Sequence, residues 1–192
     1  MMKYIHDTIQ NTSRSIFKGL TGPQKKAVAE MIRGLFVAGE PILRKLAQHP
    51  KKSPKRQGDK YSFHLGNIDL ADAVDAMALK RAKPEVKKNT IIAYDLTDIS
   101  KEAAEKMEKL TWVHDGSTGE VRHGYTLHGV GVNGLLLKLR VHEGDTHTIN
   151  QTRKEIVKNL SLSFGGKGIW VFDRGNDGKQ WFVDLRQEIN TQ

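Results

Sequence analysis

Two short stretches constrain this chain more than any other feature. "NTIIAYDLTDISK", residues 89–101, and "IWVFDRGNDGK", residues 169–179, each run four apolar residues into an aspartate. Residues 91–94 precede Asp95, and residues 169–172 precede Asp173. A short apolar run bounded by polar residues reads as a buried strand. Side chains alternate along a strand, so Ile91, Ala93 and Asp95 share one face, as do Ile169, Val171 and Asp173. If the two strands pair in parallel, Asp95 and Asp173 stand side by side at one end of a sheet. Carboxylates placed in this way repel, and a divalent cation relieves the repulsion. The alternative for either aspartate alone is a turn, because Asp and Gly are common where strands stop. Two runs of the same shape favour the paired reading.

The length of 192 residues allows one substantial core and a small second unit. A hydrophobic content of 38% beside 28% charged residues reads as soluble and globular. No cysteine is present, which excludes disulfides, Cys–zinc sites and a thiol nucleophile, and fits a reducing compartment. No stretch approaches the length of a membrane span. The first residues, "MMKYIHDTIQNTSRS", contain no apolar signal core. The net charge of +9 favours an anionic partner, nucleic acid ahead of membrane, against the alternative of a merely basic surface.

The pattern changes near residue 89. Residues 3–18 read as one helix. In "TGPQKKAVAEMIRGLFVAGE", Thr21 is a cap, Pro23 lies in the first turn, and Gly39 ends the helix. Val28, Met31, Ile32, Leu35 and Phe36 recur at helical spacing. "PILRKLAQ" is a short third helix, so this region is either a DNA-reading helix-turn-helix or an ordinary helical hairpin. Residues 44–60 are the most basic segment and contain Pro50, Pro54 and Gly58. They read as a flexible loop able to lie on phosphates through Lys51, Lys52, Lys55 and Arg56, or else as a solvated linker. "NIDLADAVDAMALKRAKPE" follows as a helix.

Beyond residue 90 strands dominate. "SKEAAEKMEKL" reads as a surface helix and "HDGSTGE" as a turn. "VRHGYTLHGVGV" and "LLLKLRV" form a hairpin through Asn133-Gly134, a strong turn signal. In the second of these strands Leu135, Leu137, Leu139 and Val141 fall on one face, with Lys138 and Arg140 on the other as in an edge strand. "NQTRKEIVKNLSLSF" is an amphipathic helix burying Ile156, Val157 and Leu160. The Asp173 strand comes next, and "GKQWFVDLRQEI" closes as a helix with Trp181, Leu185 and Ile189 on one stripe. The hairpin beside the Asp95 strand gives three antiparallel strands, and the crossover helix returns the chain parallel to the first. The expected fold is therefore α/β: a helical region over 1–88, then over 89–192 a partial mixed sheet with flanking helices. The order matches the first four strands of a ribonuclease H-like fold.

"IIAYDLTDISK", "HDGSTGEVRHGYTLHGVGV" and "WVFDRGNDG", in that order, resemble the catalytic domain of DDE-type transposases of bacterial insertion sequences. The resemblance covers roughly residues 89–187. It implies Mg²⁺-dependent hydrolysis and strand transfer of DNA, with Mn²⁺ as a substitute, and makes Asp95 and Asp173 the first two catalytic, metal-binding acids. It further implies transposon-end and target DNA as partners, a homo-oligomer, no membrane, and a cytoplasmic, nucleoid-associated location. Residues 1–88 then serve as the basic DNA-binding region. The family's third acid, a Glu, comes well downstream after at least one further strand. Glu188 lies about 14 Å along its helix from the end nearest Asp173, and Glu155, early in the crossover helix, is the better spare candidate. The expectation is thus a transposase truncated before its third acid and poorly active alone, or a truncated product that binds DNA or pairs with full-length subunits without catalysis. A phosphotransferase using Asp95 as nucleophile is the remaining alternative. It fits poorly, because Asp95 and Asp98 are one residue too far apart for Asp-x-Asp.

Other residues divide between bland and functional readings. Asp98 is a turn or helix cap, or, if the strand continues, lies on the face opposite Asp95. Asp115, Gly116 and Ser117 make a turn, and Asp177 caps the last helix. Arg174 and Lys101 either contact DNA or make ordinary surface contacts, which for Arg174 means an ion pair with a nearby carboxylate. The histidines show no zinc spacing, with His123 and His128 on opposite strand faces. "SFGGKGIW" lacks the phosphate-loop pattern and leads into a strand.

Overall fold

The computed structural model describes residues 16–48, 53–100, 107–116, 118–173 and 178–186. The chain divides into two compact units, Met1–Met77 and Ala78–Gln192.

The first unit is helical. Helix α1 spans Gly22–Ala38, with Thr21 as its extended N-cap. The Thr21 N–H donates to Gln24 Oε1 at 2.9 Å. Pro23 occupies the first turn, where its missing N–H costs nothing. Gly39 closes the helix in the left-handed conformation at φ 69°, with its N–H donating to the Leu35 carbonyl. Ala27, Val28 and Met31 face inward and pack with Ala47 and Tyr61. Helix α2, Leu43–Leu46, comes so close to α1 that a Cβ on Gly34 would lie 2.6 Å from the Leu46 carbonyl oxygen.

One expectation fails in this unit. Residues 54–65 are not loop but helix α3, Pro54–Leu65, with Pro54 in the first turn after Ser53. The abundance of Pro, Gly and charge argues for a loop, but the inward stripe of Gln57, Tyr61 and His64 overrides it. Gln57 donates to Glu30 at 2.6 Å, and Lys60 pairs with the same carboxylate at 3.3 Å. Tertiary packing on a minority face is what holds a helix of weak propensity. Helix α4 spans Ala71–Ala82.

The second unit is an open mixed sheet with helices against one face. Its strands are β1 Ile91–Ser100, β2 Thr111–Asp115, β3 Glu120–Val132, β4 Leu135–Val141 and β5 Ile169–Phe172. The long strand β3 pairs antiparallel with β1 along one edge, and its other edge is shared by β2 and β4. Strand β5 pairs in parallel with β1. The expected three antiparallel strands and one parallel strand are all present, and β2 is a fifth that the reading of residues 114–120 as a bare turn overlooks. Asn133 and Gly134 turn the β3–β4 hairpin at φ 49° and 76°, the left-handed pair that Asn-Gly favours.

The covered face holds the core. Ile92 and Tyr94 of β1, Val130 and Val132 of β3, and Leu137 of β4 pack under Ile156, Val157 and Leu160 of helix α5, Ile149–Ser163. Thr148 caps α5 in a reciprocal box with Gln151. Helix α6, Lys179–Asp184, adds Trp181, and Leu185 follows it into the core. Lys154 of α5 and Asp184 of α6 form an ion pair of 2.5 Å. Ile189 of the expected stripe lies outside the described residues.

Two further strand expectations need correction. A bulge in β4 sets Leu136 opposite Gly131 but Lys138 opposite Val130, leaving Leu137 as the extra residue. The alternation inverts there. Leu137 is 2% exposed in the core, whereas Leu139 is 51% exposed on the open face. Arg140 turns to the covered side, opposite His128. Asp98 does not cap a turn, because β1 continues to Ser100. It lies on the face opposite Asp95 and accepts a hydrogen bond from Thr126 Oγ1 at 2.6 Å. Of the expected surface helix over 100–110, Ser100 instead ends β1, residues 107–110 form a turn, and residues 101–106 lie outside the described residues.

Candidate functional site

The β1–β5 register is Ile91 with Ile169, Ile92 with Trp170, Ala93 with Val171, and Tyr94 with Phe172. Asp95 and Asp173 are therefore the next residue on each of two neighbouring parallel strands, at the same level and both exposed. Adjacent strands run about 4.8 Å apart. The start of β5 depends on Gly168, at φ 100°, where a Cβ would lie 2.5 Å from Ile92 Cδ1. The Ile169 N–H then donates to the Thr90 carbonyl at 2.8 Å, which locks the register that leads to the two aspartates.

Asp95 alternates with buried Tyr94, so its side chain leaves the sheet on the face not covered by α5. Its companions there include Ile91, 59% exposed, and Val171, 45% exposed. Glu155 is on the other side. It sits on α5 and accepts from Arg140 Nη1 at 2.9 Å, so the sheet itself separates it from Asp95. Among the described residues no group of three or more His, Asp or Glu side chains is disposed to hold a metal ion. The donor set is the two carboxylates, hard oxygen ligands that suit Mg²⁺ or Mn²⁺.

Of the residues expected to touch DNA, Lys55 and Arg56 lie exposed in the first turn of α3. Lys55 lines a cleft of about 700 Å³ with Arg44 and Asp59. Lys51, Lys52, Lys101 and Arg174 lie outside the described residues, as do Ser117, Asp177 and Glu188. No helix among the described residues is long and apolar enough to cross a membrane.

A polar chain runs beneath the site. The Tyr94 hydroxyl and His128 Nδ1 share a hydrogen bond of 2.5 Å, and His128 Nε2 and His142 Nδ1 share another of 3.2 Å. Burial pushes the His128 imidazole down to about 4, with His142, Arg140 and Arg153 adding to the effect. Burial also lowers His142, helped by His147 and Arg140 and opposed by Glu143. The Tyr94 phenol is raised far above its usual value, chiefly by burial; Arg153 opposes this and Asp95 adds to it. Arg153 is itself buried, its guanidinium 3.9 Å from the centre of the Trp181 ring, and burial lowers its affinity for its proton. The sequence offered one clue to this chain: His128 falls in step with Val130 and Val132 on the apolar side of β3.

At the far end of the open face, Trp112 of β2 stacks against His123 of β3 with ring centres 4.0 Å apart. Neither is singled out as functional in the sequence, where Trp112 falls between the expected helix over 100–110 and the expected turn over 114–120.

No family model matches the chain, and no curated protein matches it.

Proposed function

We propose that the second unit is a ribonuclease H-like domain of the DDE transposase class, acting on DNA through a divalent cation held by Asp95 and Asp173. One observation carries this reading. Two apolar strands run in parallel as neighbours and each is followed, at the same level, by an aspartate. The order, in which an antiparallel set extends from β1 and a helical crossover brings β5 back beside it, supports the same reading.

The two carboxylates fit a hard divalent ion. When bound, such an ion supplies Lewis-acid activation of a phosphodiester and of the attacking water or 3′-hydroxyl. The protein's own contribution is positional. Parallel pairing fixes the spacing of the carboxylates, and buried Tyr94 and partly buried Phe172, with ring centres 5.5 Å apart, hold the strand ends beneath them. The net charge of +9 draws the polyanion. DNA as partner, self-association and a nucleoid location belong to this reading.

A second reading has its own support. Glu155 is engaged with Arg140 on the covered side of the sheet, so it does not complete the acid pair. The chain then binds DNA and pairs with other subunits but nicks DNA poorly.

Titration of the purified chain with Mn²⁺, with and without Asp173→Asn, alongside a supercoiled-plasmid nicking assay, separates these. Binding that requires Asp173, with little nicking, is the expected result. Mn²⁺ binding unaffected by Asp173→Asn would remove the metal centre, and robust nicking would remove the non-catalytic reading.

A further inference from the structure

We infer that Trp112 and His123 form a stacking platform for an unpaired base of single-stranded DNA, on the same sheet face as Asp95. The inference rests on the reading of Asp95 and Asp173 as a phosphodiester site, and it adds to that reading the form of the substrate.

The first observation is exposure. Trp112 is 66% exposed, although indoles are mostly well buried. The other tryptophans behave ordinarily, since Trp181 is in the core and Trp170 packs against it. The Trp112 ring is held in place by His123, tilted at 40°, and its other side is left to solvent.

The second observation is register. Trp112 pairs with His123, Tyr125 with Ile99, Leu127 with Thr97, and Gly129 with Asp95. The β3 pairing with β1 and β2 is unbroken through this stretch, so residues two apart on β3 keep one face. Trp112, His123, Ile99 and Asp95 therefore lie on one surface. Six residues separate His123 from Gly129, about 20 Å along the strand. A strand of DNA laid along β3 reaches from the rings to the carboxylates.

The third observation concerns what can occupy such a surface. Exposed aromatic faces accept any base, and base–aromatic stacking is indifferent to sequence. The Tyr125 hydroxyl donates to the Glu108 carbonyl at 3.1 Å, which fixes the turn carrying Lys109 beside the platform. Lys109 pairs with Glu143 at 2.7 Å, and both are well exposed. An exposed pair of this kind is worth little, so Lys109 can exchange Glu143 for a phosphate. A duplex keeps its bases stacked internally and offers no free face to the indole.

The test uses the full chain in EDTA, with a fluorescein-labelled oligo-dT strand and a duplex of equal length. Trp112→Ala is expected to weaken single-strand binding about tenfold or more and to change duplex binding less than twofold. Trp112→Phe, which preserves the cross-strand contact and the fold, should retain most of the affinity but lose the quenching of tryptophan emission by the single strand. Equal single-strand affinity for Trp112→Ala and the parent overturns the inference. Emission that the strand does not quench overturns it as well, as does a concentration-dependent dimer abolished by Trp112→Ala, which would make the surface a protein contact. Asp95→Asn separates this idea from the metal reading. It should abolish Mn²⁺ binding, while oligo-dT added in EDTA still quenches tryptophan emission, so either reading can fail while the other stands.

Discussion

The Tyr94 hydroxyl and the His128 imidazole meet at 2.5 Å inside the sheet unit, one residue along β1 from Asp95. The strand that presents a carboxylate to solvent on one face is thus anchored on the other by a buried polar chain. His128 is 0% exposed and passes the chain on to His142. A buried hydrogen-bonded chain specifies geometry well but is costly to disrupt.

Acid should loosen this unit. The folded His128 titrates at about 4, against about 6.5 in an unfolded chain. A base whose folded value is depressed contributes stability above the unfolded value and loses it as pH falls. Between about 6.5 and 4 the unfolded chain takes up a proton that the folded chain refuses, at a cost of up to about 3 kcal/mol. Lowered His142 acts in the same direction. Urea denaturation at pH 7.5, 6 and 5 should show a falling midpoint, and His128→Gln should flatten that slope while lowering stability at pH 7.5. A midpoint independent of pH over this range would show that the histidines do not carry the effect.

Gly124 should tolerate no side chain. It lies where β3 is flanked by β1 and β2, pairing with Ser100 and Thr111. A Cβ there would press into the Ile99 carbonyl and the Val113 methyl. Backbone cannot step aside as a side chain can, so Gly124→Ala should cost about 2 kcal/mol or more. Gly129→Ala, whose nearest neighbour would be 3.7 Å away, should cost far less. Paired chemical denaturation curves measure the difference.

The parts of this fold that the sequence made legible are those where local pattern and tertiary environment agree. Ile156, Val157 and Leu160 lie on the buried stripe of α5 because nothing competes with the 3.6-residue period. The parallel β1–β5 pair and the Asn133-Gly134 turn follow from similarly local signals. Helix α3 was not legible, since Pro54, Gly58 and four basic side chains including His64 argue against order until Tyr61 finds the α1 core. The β4 bulge was hidden for a different reason. A leucine at every second position looks the same whether or not one extra residue inverts the faces, and Leu137 and Leu139 consequently part company. At the candidate site, the placement of Asp95 and Asp173 was readable from the run lengths. The position of Glu155 was not, because it depends on which face of the sheet α5 covers.

Glu155→Gln should leave metal and DNA behaviour unchanged. Its carboxylate holds Arg140 at 2.9 Å, with side-chain exposures of 48% and 30%. For so solvent-accessible a pair the expected stability loss is below about 1 kcal/mol and shrinks with added salt. If Glu155→Gln weakened Mn²⁺ binding as much as Asp173→Asn does, the helix would have to reach the other face of the sheet, and the assignment of sides would be wrong.

Asp95→Asn should have opposite effects with and without metal. In EDTA the two carboxylates at the strand ends repel, so neutralising one should leave the protein as stable as the parent or a few tenths of a kcal/mol more stable. With Mn²⁺ at about ten times its dissociation constant, the parent should gain about 1.4 kcal/mol from binding, a rise of about 3–6 °C in melting temperature for a chain of this size. Asp95→Asn should gain almost none of this. Thermal melts of both proteins in EDTA and in Mn²⁺ give four numbers, and the prediction is a crossing: the variant at or above the parent without metal, and below it with metal. Parallel shifts in the two proteins would mean that Mn²⁺ binds elsewhere. A variant less stable than the parent in EDTA would mean that Asp95 serves as a structural hydrogen-bond acceptor rather than as half of a metal centre.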